Sequence, residues 1–220
     1  MKVHQAVNIE DLRRIARRRL PRLAFDYIDG GVEDEACLLR NRAAFERYRL
    51  VPRYLVDIAN RDQSATLFGR AYSSPFGIAP TSMAGFLHRG GDEALARAAV
   101  AANIPFVLSG SSNASIETIA AIAPRHAWYQ LYAARDTTIT HDLIRRAHDA
   151  GLDALVVTVD VPVRSKRERD LRNGFGSRPR LSARWLIDLL LHPAWMASTA
   201  RHGMPSFDSW ASYEIGRAHV

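Results

Sequence analysis

The chain opens with apolar residues spaced three and four positions apart, which predicts an amphipathic helix over residues 8–20. Helical patterns over 23–29 and 33–48 follow, and the first of these ends at Gly30 and Gly31, a common helix stop. We therefore predict a helical N-terminal segment that covers residues 1–75.

From residue 76 onward, short apolar runs alternate with helical patterns. We predict strands over 76–80, 105–109, 127–132 and 155–160, and helices over 92–102, 116–123 and 138–150. The strands begin 22 to 29 residues apart, which is the length of one βα unit with short loops. Repeated βα units predict a parallel sheet, either open or closed into a barrel.

The residues that end these runs favour the barrel. All four runs finish in small or polar residues, as the rim of a barrel active site requires. No G-x-G-x-x-G motif occurs, which argues against an open dinucleotide-binding sheet. We predict an α/β fold, a (β/α)8 TIM barrel limited to about its first four βα units over residues 76–177. Four more units would need on the order of 100 further residues.

Charge is concentrated in one part of the chain. The net charge is +7, and the stretch from Arg164 to Arg184 holds eight basic and two acidic residues, a net of +6. An apolar run over 185–191 follows, so residues 178–213 read either as a core helix of a barrel insertion or as a segment on an anionic membrane surface. The pattern alone slightly favours the core helix. A nucleic-acid-binding module is a remote alternative, because the cluster is local and no reading motif accompanies it.

Several motifs together resemble the FMN-dependent α-hydroxy-acid oxidases and dehydrogenases. They are Leu20-Pro21, Phe25-Asp26-Tyr27, Gly30-Gly31, Asn41-Arg42, Ala79-Pro80-Thr81, Trp128-Tyr129-Gln130-Leu131-Tyr132, Thr158-Val159-Asp160 and Arg167-Glu168-Arg169-Asp170-Leu171. Within the family, the membrane-associated mandelate dehydrogenases are most similar in three places: Arg167–Asn173, His192-Pro193 and Arg201-His202-Gly203-Met204-Pro205. This resemblance favours the membrane surface over the core helix for residues 178–196. The resemblance implies FMN as the cofactor and oxidation of a 2-hydroxy acid to a 2-oxo acid.

The resemblance also implies the substrate-binding residues. Tyr27 and Tyr132 match tyrosines whose phenols bind the substrate, and Tyr132 also has a catalytic role in the family. Arg167 matches an arginine that binds the substrate carboxylate. From the residues alone, each tyrosine could instead pack in the core, and Arg167 could be a solvated charge.

The implied FMN contacts lie at the ends of the predicted strands. Pro80, Thr81 and Ser82 match a loop whose backbone lies against the flavin ring, where small side chains permit close approach. Ser109, Gln130 and Thr158 match residues that hydrogen-bond the ring heteroatoms. Capping of strand ends is the alternative for Ser109 and Thr158. It explains Gln130 less well, since an amide among aromatic and aliphatic neighbours needs a partner.

Three departures from the family pattern limit these expectations. Ser82 stands where better-known members carry alanine or glycine, which leaves oxidase or dehydrogenase behaviour open. The family's catalytic histidine, in a Ser-Asn-His-Gly-Gly-Arg motif, has no counterpart, so we expect this chain alone to be inactive. Residues 214–220 leave the pattern, and their back-translation resembles a sequencing-library adapter, so we expect a non-native tail.

These observations give one leading expectation and one close alternative. We expect oxidation of a mandelate- or L-lactate-type acid, with electrons passed to a membrane acceptor such as a quinone. The alternative is a soluble oxidase of the glycolate or lactate oxidase type that uses oxygen. A single cysteine, Cys37, indicates a reducing compartment. We expect a cytoplasmic protein on the inner face of the plasma membrane, homotetrameric at full length.

Overall fold

The computed structural model describes residues 2–160, 165–174 and 183–213, apart from the side chain of Arg184. These residues form two units. The helical unit comprises the described residues of Met1–Asp57 and Val161–Gly203, and the sheet unit comprises those of Ile58–Asp160 and Met204–Val220. In chain order the α-helices are α1 Ile9–Arg19, α2 Arg22–Asp29, α3 Ala36–Ala43, α4 Ala84–Leu87, α5 Gly91–Ala102, α6 Ile116–Ile122, α7 Thr137–Asp149, α8 Glu168–Arg172, α9 Ala183–Leu190 and α10 Pro193–His202.

The helical unit begins as the sequence predicts. Helix α1 starts after Asn8, whose side-chain oxygen accepts a hydrogen bond from the Asp11 amide at 2.8 Å. The third helix is shorter than the predicted range of 33–48. Glu33 and Glu35 adopt left-handed backbone conformations, with φ of 50° and 64°, so the helix cannot begin before Ala36.

The sheet unit contains a hairpin and a parallel sheet. The strands are β1 Ala65–Leu67, β2 Arg70–Tyr72, β3 Phe106–Leu108, β4 Ala127–Leu131 and β5 Leu155–Val157. Strands β1 and β2 pair antiparallel, while the parallel sheet has the order β3-β4-β5, with Phe106 opposite Ala127 and Tyr129 opposite Leu155. An α/β fold with consecutive parallel strands is therefore confirmed.

The prediction of a regular strand over residues 76–80 is wrong. Only Ile78 pairs with Phe106, in the parallel sense, through two hydrogen bonds of 2.9 Å to the neighbouring backbone. The run begins after Pro75 and ends at Pro80, and proline has no amide hydrogen to donate to a ladder. The run still lies at the edge of β3, next to the strand that follows it in sequence.

The core of the sheet unit lies between the parallel sheet and the helices that follow its strands. Tyr129, Phe106, Leu108, Ile119 and Leu143 are almost completely buried there. Strand β5 is exposed along its length, with its three side chains 36% to 55% accessible. The core thus fixes β3 and β4, which brings the residues at their C-terminal ends into a defined position.

Candidate functional site

A hydrogen-bonded polar network joins the C-terminal ends of the three parallel strands. The buried Gln130 amide is its centre: its Oε1 accepts from the Gly110 backbone at 3.0 Å and from Ser109 Oγ at 3.4 Å. Its Nε2 donates to Thr158 Oγ1 at 2.6 Å. Because the strands are parallel and adjacent, Ser109, Gln130 and Thr158, predicted from separate motifs, meet at one edge of the sheet.

Two further residues build this network that the sequence reasoning missed. At Gly110, a Cβ atom would lie 2.8 Å from the Gln130 carbonyl oxygen, so the close approach of the two strands requires glycine. The Trp210 indole donates to the Gly110 carbonyl at 2.6 Å. A glycine directly after a predicted strand was a usable signal. Trp210, 100 positions further along the chain, had no local signal.

The loop over residues 80–83 adds one residue to the network. Ser82 Oγ lies 3.5 Å from Ser109 Oγ, and the Met83 amide donates to the Ser111 carbonyl at 3.1 Å. Pro80 is exposed, and the half-buried Thr81 donates its hydroxyl to the carbonyl of Ala79 at 3.5 Å. The loop therefore brings the small side chain of Ser82 to the edge of the polar network.

Tyr132 directly follows β4 and is half-buried in the sheet unit. Its phenol donates a hydrogen bond to the Asp160 carboxylate, and burial, followed by the charge of Asp160, raises the pKa of the phenol. Tyr132 is accordingly a protonated hydrogen-bond donor at neutral pH. In the sequence, Asp160 is distinguished only as part of the motif Thr158-Val159-Asp160. It contacts Tyr132 because it lies after the neighbouring strand β5.

The helical unit brings the other two predicted substrate residues together. The Arg167 guanidinium carbon lies 5.2 Å from the centre of the Tyr27 ring, and its Nη2 donates to the Gly30 carbonyl at 3.0 Å. Arg167 Nε also pairs with Asp170 Oδ2 at 2.9 Å. Burial raises the pKa of the Asp170 carboxyl, and the positive charge of Arg167 opposes this rise. The ion pair holds both side chains in place. The i,i+3 spacing could have predicted this contact.

Four of the eight basic side chains between Arg164 and Arg184 lie in the part of the chain that the structure describes, and these four are paired within the helical unit. Each of the four has a carboxylate within 4 Å. The pairs are Lys166 with Glu168, Arg167 with Asp170, Arg169 with Asp26, Asp29 and Glu35, and Arg172 with Glu168. The pairing of these four side chains argues against the nucleic-acid alternative for the described part of the stretch.

The sequence matches the FMN-dependent dehydrogenase family over residues 16–218. The chain belongs to this family. It is 42% identical over 205 residues to (S)-mandelate dehydrogenase of Pseudomonas putida, covering 93% of this chain and 52% of that protein. It is 43% identical over 209 residues to a putative L-lactate dehydrogenase of Mycobacterium tuberculosis, covering 93% and 50%.

A solved structure of a related protein supports this similarity. The crystal structure of the monotopic membrane protein (S)-mandelate dehydrogenase superposes with a TM-score of 0.90 at 41% identity, over 96% of this chain and 56% of that chain. The chain thus spans about half the length of the curated relatives it matches. None of the helices in the described ranges is both long and apolar enough to cross a membrane.

The family's cofactor is FMN, and the polar network at the strand ends fits its ring. The flavin ring presents nitrogen and oxygen atoms that need uncharged hydrogen-bond partners, and the network supplies an amide, three hydroxyls and a backbone amide. Beside this network, Pro80 is exposed and Thr81 and Ser82 are half-buried, so this loop is partly accessible to solvent. These residues carry no positive charge, so they fit the ring of FMN and not its phosphate.

Proposed function

We propose that the whole protein containing this chain oxidises a 2-hydroxy acid of the mandelate or L-lactate type to its 2-oxo acid. The observation that carries the proposal is the Gln130 network, which joins three strand ends through uncharged groups suited to a flavin ring. Bound FMN supplies the acceptor for the hydride equivalent that leaves the substrate. Family membership supports this class of reaction, and the similarity to (S)-mandelate dehydrogenase and to a putative L-lactate dehydrogenase supports this class of acid.

The proposed roles of the residues follow from their chemistry. Ser109, Gln130 and Thr158 would hold the flavin ring, and the 80–82 backbone would lie against it. In the sheet unit, Tyr132 would donate a hydrogen bond to the substrate, since its raised pKa keeps the phenol protonated. In the helical unit, Tyr27 and Arg167 would bind the substrate carboxylate. Asp170 would act as a positioning residue for Arg167.

We further propose that this chain supplies about the first four βα units of a (β/α)8 barrel and does not turn over substrate by itself. The parallel order β3-β4-β5, with residue 78 beside β3, supports that arrangement. The sequence contains no Ser-Asn-His-Gly-Gly-Arg motif, and removal of the hydroxyl proton needs a base within hydrogen-bond reach. The boundaries at residues 75, 177 and 213 are part of this proposal.

We propose a membrane-surface role for the segment around α9. Four apolar side chains of this segment point outward with 54% to 70% of their surface exposed, and we call them the α9 ridge: Leu186, Ile187, Leu190 and Leu191. The opposite side of the helix carries Asp188, which accepts a hydrogen bond from the Arg22 amide at 2.8 Å. A helix whose apolar side faces outward is suited to an interfacial position. Residues 178–182 of the predicted membrane segment lie outside the described residues.

A position at the membrane would bring the proposed enzyme close to an acceptor for the electrons of the reaction. Electrons would pass to a membrane acceptor such as a quinone, at the inner face of the plasma membrane, in a homotetramer of the full-length protein. The similarity to a monotopic membrane enzyme supports this arrangement. Soluble oxidase behaviour is the competing proposal, because Ser82 stands where better-known family members carry alanine or glycine and would lie beside the reactive face of the flavin.

A product assay tests the proposed reaction. The whole protein, supplied with mandelate, L-lactate or glycolate, is expected to form the 2-oxo acid faster with an artificial electron acceptor than with oxygen alone. The 220-residue chain assayed in parallel is expected to form none. Equal rates with oxygen and rapid formation of hydrogen peroxide would favour the oxidase alternative, and absence of product from every acid would refute the reaction.

A further inference from the structure

The helical unit contains a cavity of about 550 Å³ that the proposed reaction does not use. It is lined by the end of α1, the start of α2, α8 and the inner side of α9, including Arg17, Arg22, Phe25, Asp188 and His192. Arg17 and Arg22 are exposed, while Phe25 is only 7% exposed. Leu20 and Phe25 are its apolar lining residues, and His192, four arginines and three aspartates complete the lining: Arg13, Arg17, Arg22, Arg169, Asp26, Asp29 and Asp188.

The charges around this cavity are not balanced. Asp29 is already held by Arg13, at 2.9 Å, and by Arg169, at 3.0 Å, and these contacts lower the pKa of its carboxyl. Asp188 accepts the backbone hydrogen bond of Arg22. The guanidinium groups of Arg17 and Arg22 have no carboxylate partner within the ranges that the structure describes. Two unpaired guanidinium groups at one cavity are suited to an anion, and their planar donors match phosphate oxygens.

The position of the cavity indicates which phosphate it meets. Asp188 and His192 line it from one side of the α9 segment, and the α9 ridge lies on the opposite side. A helix is about 10 Å across with its side chains. An interfacial helix buries its apolar face about 5–10 Å into the boundary between headgroups and acyl chains. If the ridge is inserted, the inner side of α9 lies at the level of the headgroups.

We propose that this cavity binds the phosphate of an anionic phospholipid headgroup through Arg17 and Arg22. The inference rests on the proposed membrane role of the α9 ridge and deepens it: the ridge supplies affinity for the bilayer, and the cavity supplies preference for an anionic lipid. Nearby Arg18 and Arg19 are also exposed on α1 but do not line the cavity. They give a matched control of equal charge.

Vesicle binding tests the proposal. The whole protein and its variants are sedimented with vesicles of phosphatidylcholine, with or without phosphatidylglycerol. The double variant R17Q/R22Q is expected to lose about tenfold or more binding to the phosphatidylglycerol vesicles beyond the loss of R18Q/R19Q, because charge-assisted hydrogen bonds to phosphate are lost only in the first pair. Equal losses in the two variants would mean general attraction to a charged surface and would overturn the proposal.

Two further arms separate the remaining explanations. Titration with inorganic phosphate identifies a free-phosphate site: if phosphate binds to the R18Q/R19Q protein but not to R17Q/R22Q while both bind vesicles equally, the lipid assignment is wrong. The variant L186S/L190S tests the α9 ridge itself.

Failure of the unmodified protein to bind any vesicle refutes the membrane role together with this inference. Loss only in L186S/L190S refutes the headgroup site alone. Unchanged activity of R17Q/R22Q in detergent verifies folding, and R17Q alone replaces it if the double variant does not fold.

Discussion

At the scale of single residues, Gln130 connects most of the candidate site. The sequence predicted that this amide needs a partner, because it stands among aromatic and aliphatic neighbours. Its partners on either side, Ser109 and Thr158, were expected from motifs, and all three meet in the structure. The glycine after the predicted strand was a usable signal for a close approach at residue 110, but the hydrogen bond from its amide to Gln130 depends on how the strands pair and could not be predicted from the sequence.

We predict that Gln130→Leu weakens FMN binding. Leucine has a similar volume but leaves the Gly110 amide and Thr158 hydroxyl without their partner, and an unpaired buried group costs about 1–3 kcal/mol. The dissociation constant of FMN, measured by quenching of flavin fluorescence in the whole protein, is expected to rise about tenfold or more. Thr118→Val, which removes an exposed hydroxyl on α6, is the control. An unchanged constant in Gln130→Leu would remove this residue from the flavin site.

We predict that Tyr132→Phe lowers kcat/KM about 10- to 100-fold without loss of bound FMN, because one lost hydrogen bond costs about 1–3 kcal/mol. Burial raises the pKa of this phenol, so the hydroxyl stays protonated across neutral and mildly alkaline pH. The kcat/KM of the unmodified protein is therefore expected to show no loss from Tyr132 ionisation below about pH 10. The exposed Tyr54→Phe serves as the control. Equal turnover in both variants would contradict the role of Tyr132.

At the scale of elements, the alternation of apolar runs and helical patterns predicted four parallel strands, of which three form, together with the helices between them. The prediction failed where backbone conformation decided the outcome. Prolines flank residues 76–79 and prevent a regular ladder, and left-handed residues delay the start of α3. The β1-β2 hairpin was missed because its turn uses Phe68 and Gly69, both with positive φ, in place of the usual Asn-Gly.

The outward-facing apolar side of α9 makes a prediction at this scale. The double variant L186S/L190S is expected to shift the whole protein from the membrane pellet to the supernatant, since each serine removes exposed apolar surface that a bilayer would cover. Leu39→Ser, at a leucine 65% exposed on α3, is the control and is expected to remain in the pellet. Retention of both proteins in the pellet would contradict a membrane role for α9.

At the scale of the whole molecule, the structure and the comparisons change the interpretation of the net charge and the length of the chain. The net positive charge of the chain is by itself compatible with nucleic-acid binding, but the described basic side chains between Arg164 and Arg184 form ion pairs with carboxylates of α2, α8 and the loop before α3. The chain also spans about half the length of its curated relatives. The sequence could predict the family and the polar strand ends, because these depend on local motifs. It could not predict Trp210 at Gly110, because that contact depends on the tertiary fold.

Anaerobic reduction of bound flavin tests the central claim most directly. The whole protein is mixed with a 2-hydroxy acid in the absence of oxygen, and the visible absorbance of its flavin is followed. We expect the absorbance to bleach, at a rate that Tyr132→Phe lowers and Tyr54→Phe leaves unchanged. A protein that binds no flavin, or whose flavin keeps its absorbance with mandelate, L-lactate and glycolate alike, would contradict the account.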